Sequence, residues 1–260
     1  DELAKLGYDV GKVDITVGTS YEAVGEALSA GTADVGLIPG GTYVLYDDGC
    51  DVLLTATRDG LSIDSDSAKD WNDNAPTQPT TDQVTSYRAL MIAGPSEKGK
   101  ALAAKVNAGE QLTWEDVSGA NWSVMNSSSP AGYIYPSLWL QENFSKNITD
   151  LPHAVQSDSY GSAFARLASG QVDVLCTYAD GRRDYEDEWT GEYAMTNSIW
   201  DDTAVIGVTP AIYNDTISVS KTSPIMDDSF KAALSEAFIN IGNTEQGKQV
   251  IAIYSHNGYM

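Results

Sequence analysis

Cationic side chains are scarce in this chain. Fifteen Lys plus Arg stand against 37 Asp plus Glu in 260 residues, a formal charge of −22 with a pI of about 4.1. Binding to a phosphate backbone depends on a basic footprint, so nucleic acid is excluded as a partner. Acidity on this scale serves solubility and limits nonspecific adhesion. Long apolar runs are missing too: none approaches the roughly 18 residues that a membrane-spanning helix needs.

Histidine and cysteine number two each. His153 and His256 lie outside the stretches that converge on a site, so no Ser-His-Asp or Cys-His arrangement can be assembled. No Cys/His cluster has zinc spacing, and neither Gly-rich phosphate-cradling motif occurs. Ser127 to Ser129 lack a base, and Asp184, Glu186, Asp187 and Glu188 read as a solvated helix face rather than acid/base machinery. The expectation is a protein that is not an enzyme and uses no cofactor. Cys50 and Cys176 fall in different halves and are expected to be free, buried thiols in strands. Asp1 leads directly into ELAKLGY, a piece of amphipathic helix with no export signal, which a mature chain would have lost in any case.

What is present is a helix start suited to an anion. In Asn126-Ser-Ser-Ser-Pro-Ala-Gly-Tyr-Ile-Tyr-Pro136, Ser129 is a good N-cap and Pro130 fits the first helical position. Ala131 and Gly132 leave backbone N–H groups uncovered, and with the positive end of the helix dipole behind them these can hold a phosphate, phosphonate, sulfate or carboxylate. The alternative is an ordinary well-capped helix.

A repeat adds weight to the first reading. Residues 20–35, SYEAVGEALSAGTADV, recur as residues 159–174, SYGSAFARLASGQVDV, at an offset of 139 with six of sixteen positions identical: Ser20/Ser159, Tyr21/Tyr160, Leu28/Leu167, Gly31/Gly170, Asp34/Asp173 and Val35/Val174. Each copy reads as capped helix, Gly C-cap and short strand. The offset is too large for a solenoid, so two similar α/β lobes are expected. At this length a single core tends to split, and the 42% hydrophobic content can fill two.

Strand and helix patterns alternate as in a mostly parallel sheet. Helices are expected at about 2–7, 20–30, 41–46, 97–108, 114–118, from Ser129, and at 160–169, 180–188, 227–241 and 245–253. Strands are expected near 13–17, 34–38, 52–56, 87–93, 122–125, 153–155, 172–177 and 216–220. The polar stretch 58–84 reads as a surface loop or inserted flap. Its Asp64, Asp66, Asp70 and Asp73 lack the mid-loop Gly and terminal Glu of an EF-hand, so a solvated loop is preferred to a calcium site. The lobes are expected as 1–88, 89–214 and a return to the first lobe over 215–260.

Taken in order, Tyr21 in TSYEAV, Tyr87 in SYRALMIA, SSSPAGYIYP, SGQVDV and Tyr213-Asn-Asp-Thr-Ile217 resemble the phosphonate-binding subunit of bacterial ABC importers, within the wider phosphate/phosphonate solute-binding family. The resemblance runs from about residue 8 to the end. It implies an α/β, two-lobed, type II periplasmic-binding-protein-like clamshell, hinged near 87–90 and 213–218, each lobe a mostly parallel sheet flanked by helices. Family members carry a further strand ahead of where this chain begins, so the first lobe is expected to lack one.

Position by position, the resemblance places ligand contacts at Tyr21, Tyr87, Ser129, Ala131, Gly132, Tyr160, Asp180 and Asp215, with Ser127 and Ser128 as substitutes for two lost hydroxyls. Pro130 removes both a hydroxyl and a backbone donor, and Tyr160 stands where the family has His. Neutral donors suit an oxyanion. Asp180 and Asp215 repel a bare dianion, so the ligand is expected to carry either an ammonium, as an aminoalkylphosphonate does, or an acidic proton; the ammonium is preferred. The expected protein is a monomer that binds a small phosphorus-containing anion outside the cytoplasm, periplasmic or lipid-anchored, and hands it to a membrane permease. Phosphate, phosphite, or a ring-bearing ligand such as a pyrimidine or sugar phosphate is the alternative; a hydrolase is less favoured.

Overall fold

Why each segment folds as it does is clearest in the two copies of the repeat. The computed structural model describes residues 1–252 and 255–260. Helix Tyr21–Ser29 is capped by Ser20, whose side chain accepts from the Ala23 N–H at 3.2 Å; helix Tyr160–Ala168 is capped by Ser159, accepting from Ser162 at 3.1 Å. Each helix is followed by a glycine with left-handed backbone, φ +70° at Gly31 and +72° at Gly170, a conformation that a Cβ disfavours. The strands Val35–Ile38 and Val174–Tyr178 then begin at equivalent residues. Even the aspartates before them act alike: Asp34 accepts from Ser223 Oγ and Asp173 from Ser96 Oγ, both at 2.6 Å.

The chain divides into two compact units. The first comprises residues 1–60, 80–86 and 213–260. Its sheet runs Val35–Ile38, Thr216–Ser220, Cys50–Leu61, His256–Tyr259, with Pro79–Val84 also paired to Cys50–Leu61. The three neighbouring pairs along that path are antiparallel, with Val35 opposite Val219 and Ile38 opposite Thr216 at one edge. Helix Tyr21–Ser29 buries Leu28 against Ile38 and Cys50, and helix Asp228–Gly242 buries Leu234 against Val219 and Met226.

Residues 61–79 and 87–212 form the second unit. Its five strands are ordered Ala154–Gln156, Trp122–Val124, Val174–Tyr178, Ala89–Ala93, Ala204–Val208. The first two pairings are parallel and the last two antiparallel. Strand Ala89–Ala93 is buried at every residue, and cores on its two faces hold Trp71, Phe164, Trp189 and Trp200 on one side and Trp122, Trp139 and Leu140 on the other.

Two expectations about sheets are corrected by these pairings. The first unit's sheet is antiparallel and the second is mixed, so neither is mostly parallel. A fully buried apolar run reads the same in either direction, so its pattern carries no sign for pairing. No strand forms near 13–17: Val13, Ile15 and Val17 are exposed, and an alternating pattern makes a strand only where a neighbour completes the ladder.

The polar stretch 58–84 departs from a plain surface loop. Strand Cys50–Leu61 continues into it, Pro79–Val84 pairs back, and between them a 3₁₀ turn, Ala68–Trp71, drives Trp71 into the second unit's core at 1% exposure. The indole Nε1 donates to the Ser65 carbonyl at 3.0 Å, and Arg182 Nη2 donates to the Trp71 carbonyl at 3.0 Å. One large aromatic suffices to dock a segment whose other residues are polar. Of its acids, Asp64 pairs with Arg88 and Asp70 accepts from Ser65 Oγ. The last helix spans Glu245–Ile251; the expectation that it reaches 253 lies partly outside the described residues.

Candidate functional site

The second unit gathers most of the residues that the sequence nominates. Ser129 caps a helix that starts as a π-turn, Pro130–Ile134, and continues as Tyr135–Phe144. Ser129 Oγ accepts from the Gly132 N–H at 3.2 Å, so that donor is occupied by the cap. Gly132 is glycine for a steric reason, since a Cβ there would stand 2.3 Å from the Met125 side chain. The first-turn N–H of Ala131 has no acceptor within the helix, and the helix dipole points its positive end the same way.

Tyr160, first residue of its own helix, brings its hydroxyl to 3.4 Å from Ser129 Oγ. That is long for a bond between two hydroxyls, whose usual separation is about 2.7–2.8 Å, and it suits two donors converging on a third atom. The Tyr160 ring meets Tyr178 edge to face at 5.0 Å. Tyr87 and Tyr135 pack against the same small cluster of Ala89, Ala131, Tyr178 and Ile212. Ser127 and Ser128 are exposed in the preceding loop, where the Ser128 N–H and Oγ both donate to Asn126 Oδ1, at 3.1 and 2.8 Å.

Asp180 is 1% exposed, just beyond strand Val174–Tyr178. It occupies the N-cap position of the short helix Gly181–Asp184 without using its side chain to cap it. Its Oδ1 accepts from Arg183 Nη2 at 2.8 Å instead. Tyr178 Oη donates to Asp184 Oδ2 at 2.9 Å, and burial followed by the Asp184 charge pushes that phenol well above its ordinary range.

The other two nominated residues belong to the first unit. Tyr21 is exposed at the start of helix Tyr21–Ser29. Asp215 lies beside a buried polar group: the Arg58 Nε donates to Asn214 Oδ1 at 3.1 Å, and Asn214 Nδ2 donates to the Ala56 carbonyl at 2.8 Å. Burial raises the Asp215 carboxyl above its ordinary value, and the Arg58 charge opposes that shift. His256 Nε2 is 3.5 Å from Arg58 Nη2; a guanidinium only donates, so Nε2 is the acceptor and Nδ1 carries the proton. Burial first, and then Arg58, lower this imidazole to about 4.

Three features were not nominated from the sequence: Tyr178 and Arg183 in the second unit, and the Arg58–Asn214–His256 group in the first. The i, i+3 spacing of Asp180 and Arg183 was a usable signal. Nothing local could pair Arg58 with residues 156 and 198 positions away. Among the described residues no three His, Cys, Asp or Glu side chains are grouped to hold a metal, and no helix is long and apolar enough to cross a membrane.

Solved structures place the fold in a known class. The chain resembles Mh-p37 of Mycoplasma hyorhinis, a candidate thiamine pyrophosphate transporter (TM-score 0.72, 16% identity, 100% of this chain and 84% of that one). It also resembles the binding protein component of an ABC phosphonate transporter from Pseudomonas aeruginosa (0.57, 15%, 100% and 72%) and PhnD1 of Prochlorococcus marinus in complex with methylphosphonate (0.52, 14%, 100% and 83%). The fold is therefore the α/β periplasmic-binding-protein-like fold of type II. Residues 4–260 match the family described as ABC transporter, phosphonate, periplasmic substrate-binding protein, and the chain belongs to that family. It is a substrate-binding component of a transporter and not an enzyme. Separately, 174 aligned residues are 28% identical to acetyl-coenzyme A synthetase of Bartonella quintana, a match spanning 62% of this chain and about a quarter, 26%, of that protein.

Proposed function

We propose that this chain binds a small phosphonate-type anion on the face where Ser129 and Tyr160 converge and delivers it to the membrane permease of an ABC importer. The carrying observation is the 3.4 Å spacing of Ser129 Oγ and Tyr160 Oη at the start of the helix that Ser129 caps, uncharged groups at a helix N-terminus. Such donors favour an oxyanion even in a strongly acidic protein, because they add no counter-charge that water would screen. The methylphosphonate bound by the Prochlorococcus marinus relative supports this ligand class. Tyr87, Ser127, Ser128 and Gly132 line or flank the same face of the second unit, and Tyr21 and Asp215 of the first unit remain candidate contacts. The protein works outside the cytoplasm, periplasmic or lipid-anchored, as a monomer.

The cluster of Tyr87, Tyr135, Tyr160 and Tyr178 favours a second reading, a ring-bearing phosphate ester stacked on phenol faces. Titration calorimetry with methylphosphonate, phosphate and thiamine pyrophosphate separates the two. Saturable heat with methylphosphonate or phosphate supports the first reading, and heat confined to thiamine pyrophosphate supports the second. Absence of heat with all three overturns both.

A further inference from the structure

Two buried hydroxyls tie together the strands from which both halves of the proposed site depart. Ser123 lies in strand Trp122–Val124 and is 0% exposed; Ser157 directly follows strand Ala154–Gln156 and is 2% exposed. Their Oγ atoms stand 2.8 Å apart, the separation of a good bond between hydroxyls. The strands run parallel, and the Ser157 N–H donates to the Val124 carbonyl at 2.9 Å, which carries the ladder one residue past the strand's end. From Val124 the chain reaches Ser129 through a turn closed by the Ser129 N–H on the Asn126 carbonyl at 3.0 Å. From Ser157 it reaches Tyr160 through the capping box of Ser159 and Ser162. The two paths meet again where Ser129 Oγ and Tyr160 Oη lie 3.4 Å apart.

We propose that the Ser123–Ser157 pair is the positioning element of the site: it fixes the spacing of Ser129 Oγ and Tyr160 Oη, and so sets affinity for an oxyanion that it does not touch. This rests on the reading of the Ser129–Tyr160 face as an oxyanion site. Strand Ala154–Gln156 is a three-residue edge of its sheet, paired on one side only, so its backbone ladder alone holds it weakly. A side-chain bond at the end nearest Tyr160 pins that edge where a small shift would reach the Tyr160 hydroxyl. Two donors aimed at one oxygen bind best when their spacing is set before the ligand arrives, because no ordering cost then falls on binding.

Calorimetry and melting curves on the intact chain test this, with methylphosphonate or phosphate, whichever the native protein binds tighter. Ser157→Ala breaks the bond and leaves the Ser123 hydroxyl buried without its partner, so stability falls and affinity falls by about threefold to tenfold. Combining Ser123→Ala with Ser157→Ala orphans neither hydroxyl, so melting returns toward the native temperature while affinity stays as low as in the single variant. Added to Tyr160→Phe, Ser157→Ala weakens binding no further, since the hydroxyl it positions is already gone. Serines that serve the fold alone give the reverse pattern. Affinity that recovers together with melting temperature, or an equal loss with and without Tyr160→Phe, or no loss at all, overturns the inference and leaves the oxyanion reading standing. Should Ser157→Ala fail to fold, the double variant decides: native affinity there overturns the inference, and lowered affinity at near-native melting upholds it. If the native protein gives saturable heat with neither compound, both fall together.

Discussion

Replacing Ser129 by aspartate separates the two jobs that its side chain holds. Asp is as good an N-cap as Ser, and a negative charge at a helix N-terminus is favourable, so the bond now made to the Gly132 N–H at 3.2 Å is retained in kind. Thermal stability should therefore change by no more than about 0.5 kcal/mol, the size of an ordinary exposed substitution. Affinity for an oxyanion responds very differently. Placing a carboxylate about 4 Å from a phosphonate oxygen costs on the order of 4 kcal/mol per unit charge at an effective dielectric of 20, roughly a thousandfold in Kd. Ser129→Ala behaves in the opposite proportion: loss of the cap costs about 1 kcal/mol of stability, and loss of one charge-assisted donor weakens binding by about 1.5–3 kcal/mol, or about tenfold to a hundredfold. Melting curves and methylphosphonate titrations of the three proteins give the comparison. Ser129→Asp binding methylphosphonate as tightly as the native protein, while melting at the same temperature, would mean that no oxyanion sits at Ser129.

Three further outcomes are expected. Trp71→Ala, which empties a site 1% exposed in the second unit's core, should lower unfolding free energy by about 3–5 kcal/mol in denaturant titration, whereas a surface loop would register almost nothing. His256 is held at about 4 in the folded chain, below its unfolded value of about 6.5, so the unfolded state binds more protons between these limits. Stability should thus be full above about pH 6.5 and decline as pH falls toward 4, at no more than about 1.4 kcal/mol per pH unit, and His256→Asn, which keeps an acceptor for Arg58, should flatten that limb. Burial raises both thiols, Cys50 and Cys176, each 0% exposed. Ellman's reagent at pH 8 should find neither in the native protein and two after denaturation, and rapid native labelling would contradict their placement.

What could be read in advance was local chemistry. Ser20, Ser159 and Ser129 were legible as caps because a cap depends on one side chain and the next three residues, and each makes the expected bond. The repeated helix, glycine and strand were legible for the same reason. Strand direction was not, because Ala89–Ala93 and Val174–Tyr178 are apolar at nearly every position and look alike from both ends. Trp71 was hidden inside a polar stretch, where average composition outvoted one large side chain. In the proposed site, Ser129 and Tyr160 come together, whereas the bond from Arg183 to Asp180 is legible in the sequence only as an i, i+3 charge pair, a spacing that many solvated helix faces share. Tyr21 and Asp215 rest on the family resemblance.

The weaving of the first unit's sheet has a consequence for biosynthesis. Val35–Ile38 and Cys50–Leu61 are held side by side only through Thr216–Ser220, which lies between them and leaves the ribosome some 160 residues later. At about 5–20 residues per second, the early strands wait roughly ten to thirty seconds for their partner, while the whole of residues 87–212 emerges and is free to condense first. Until then Val35–Ile38 lacks the strand it pairs with and Cys50–Leu61 has only Pro79–Val84 beside it, so one edge of each stays open to the kind of transient contact that holdase chaperones make.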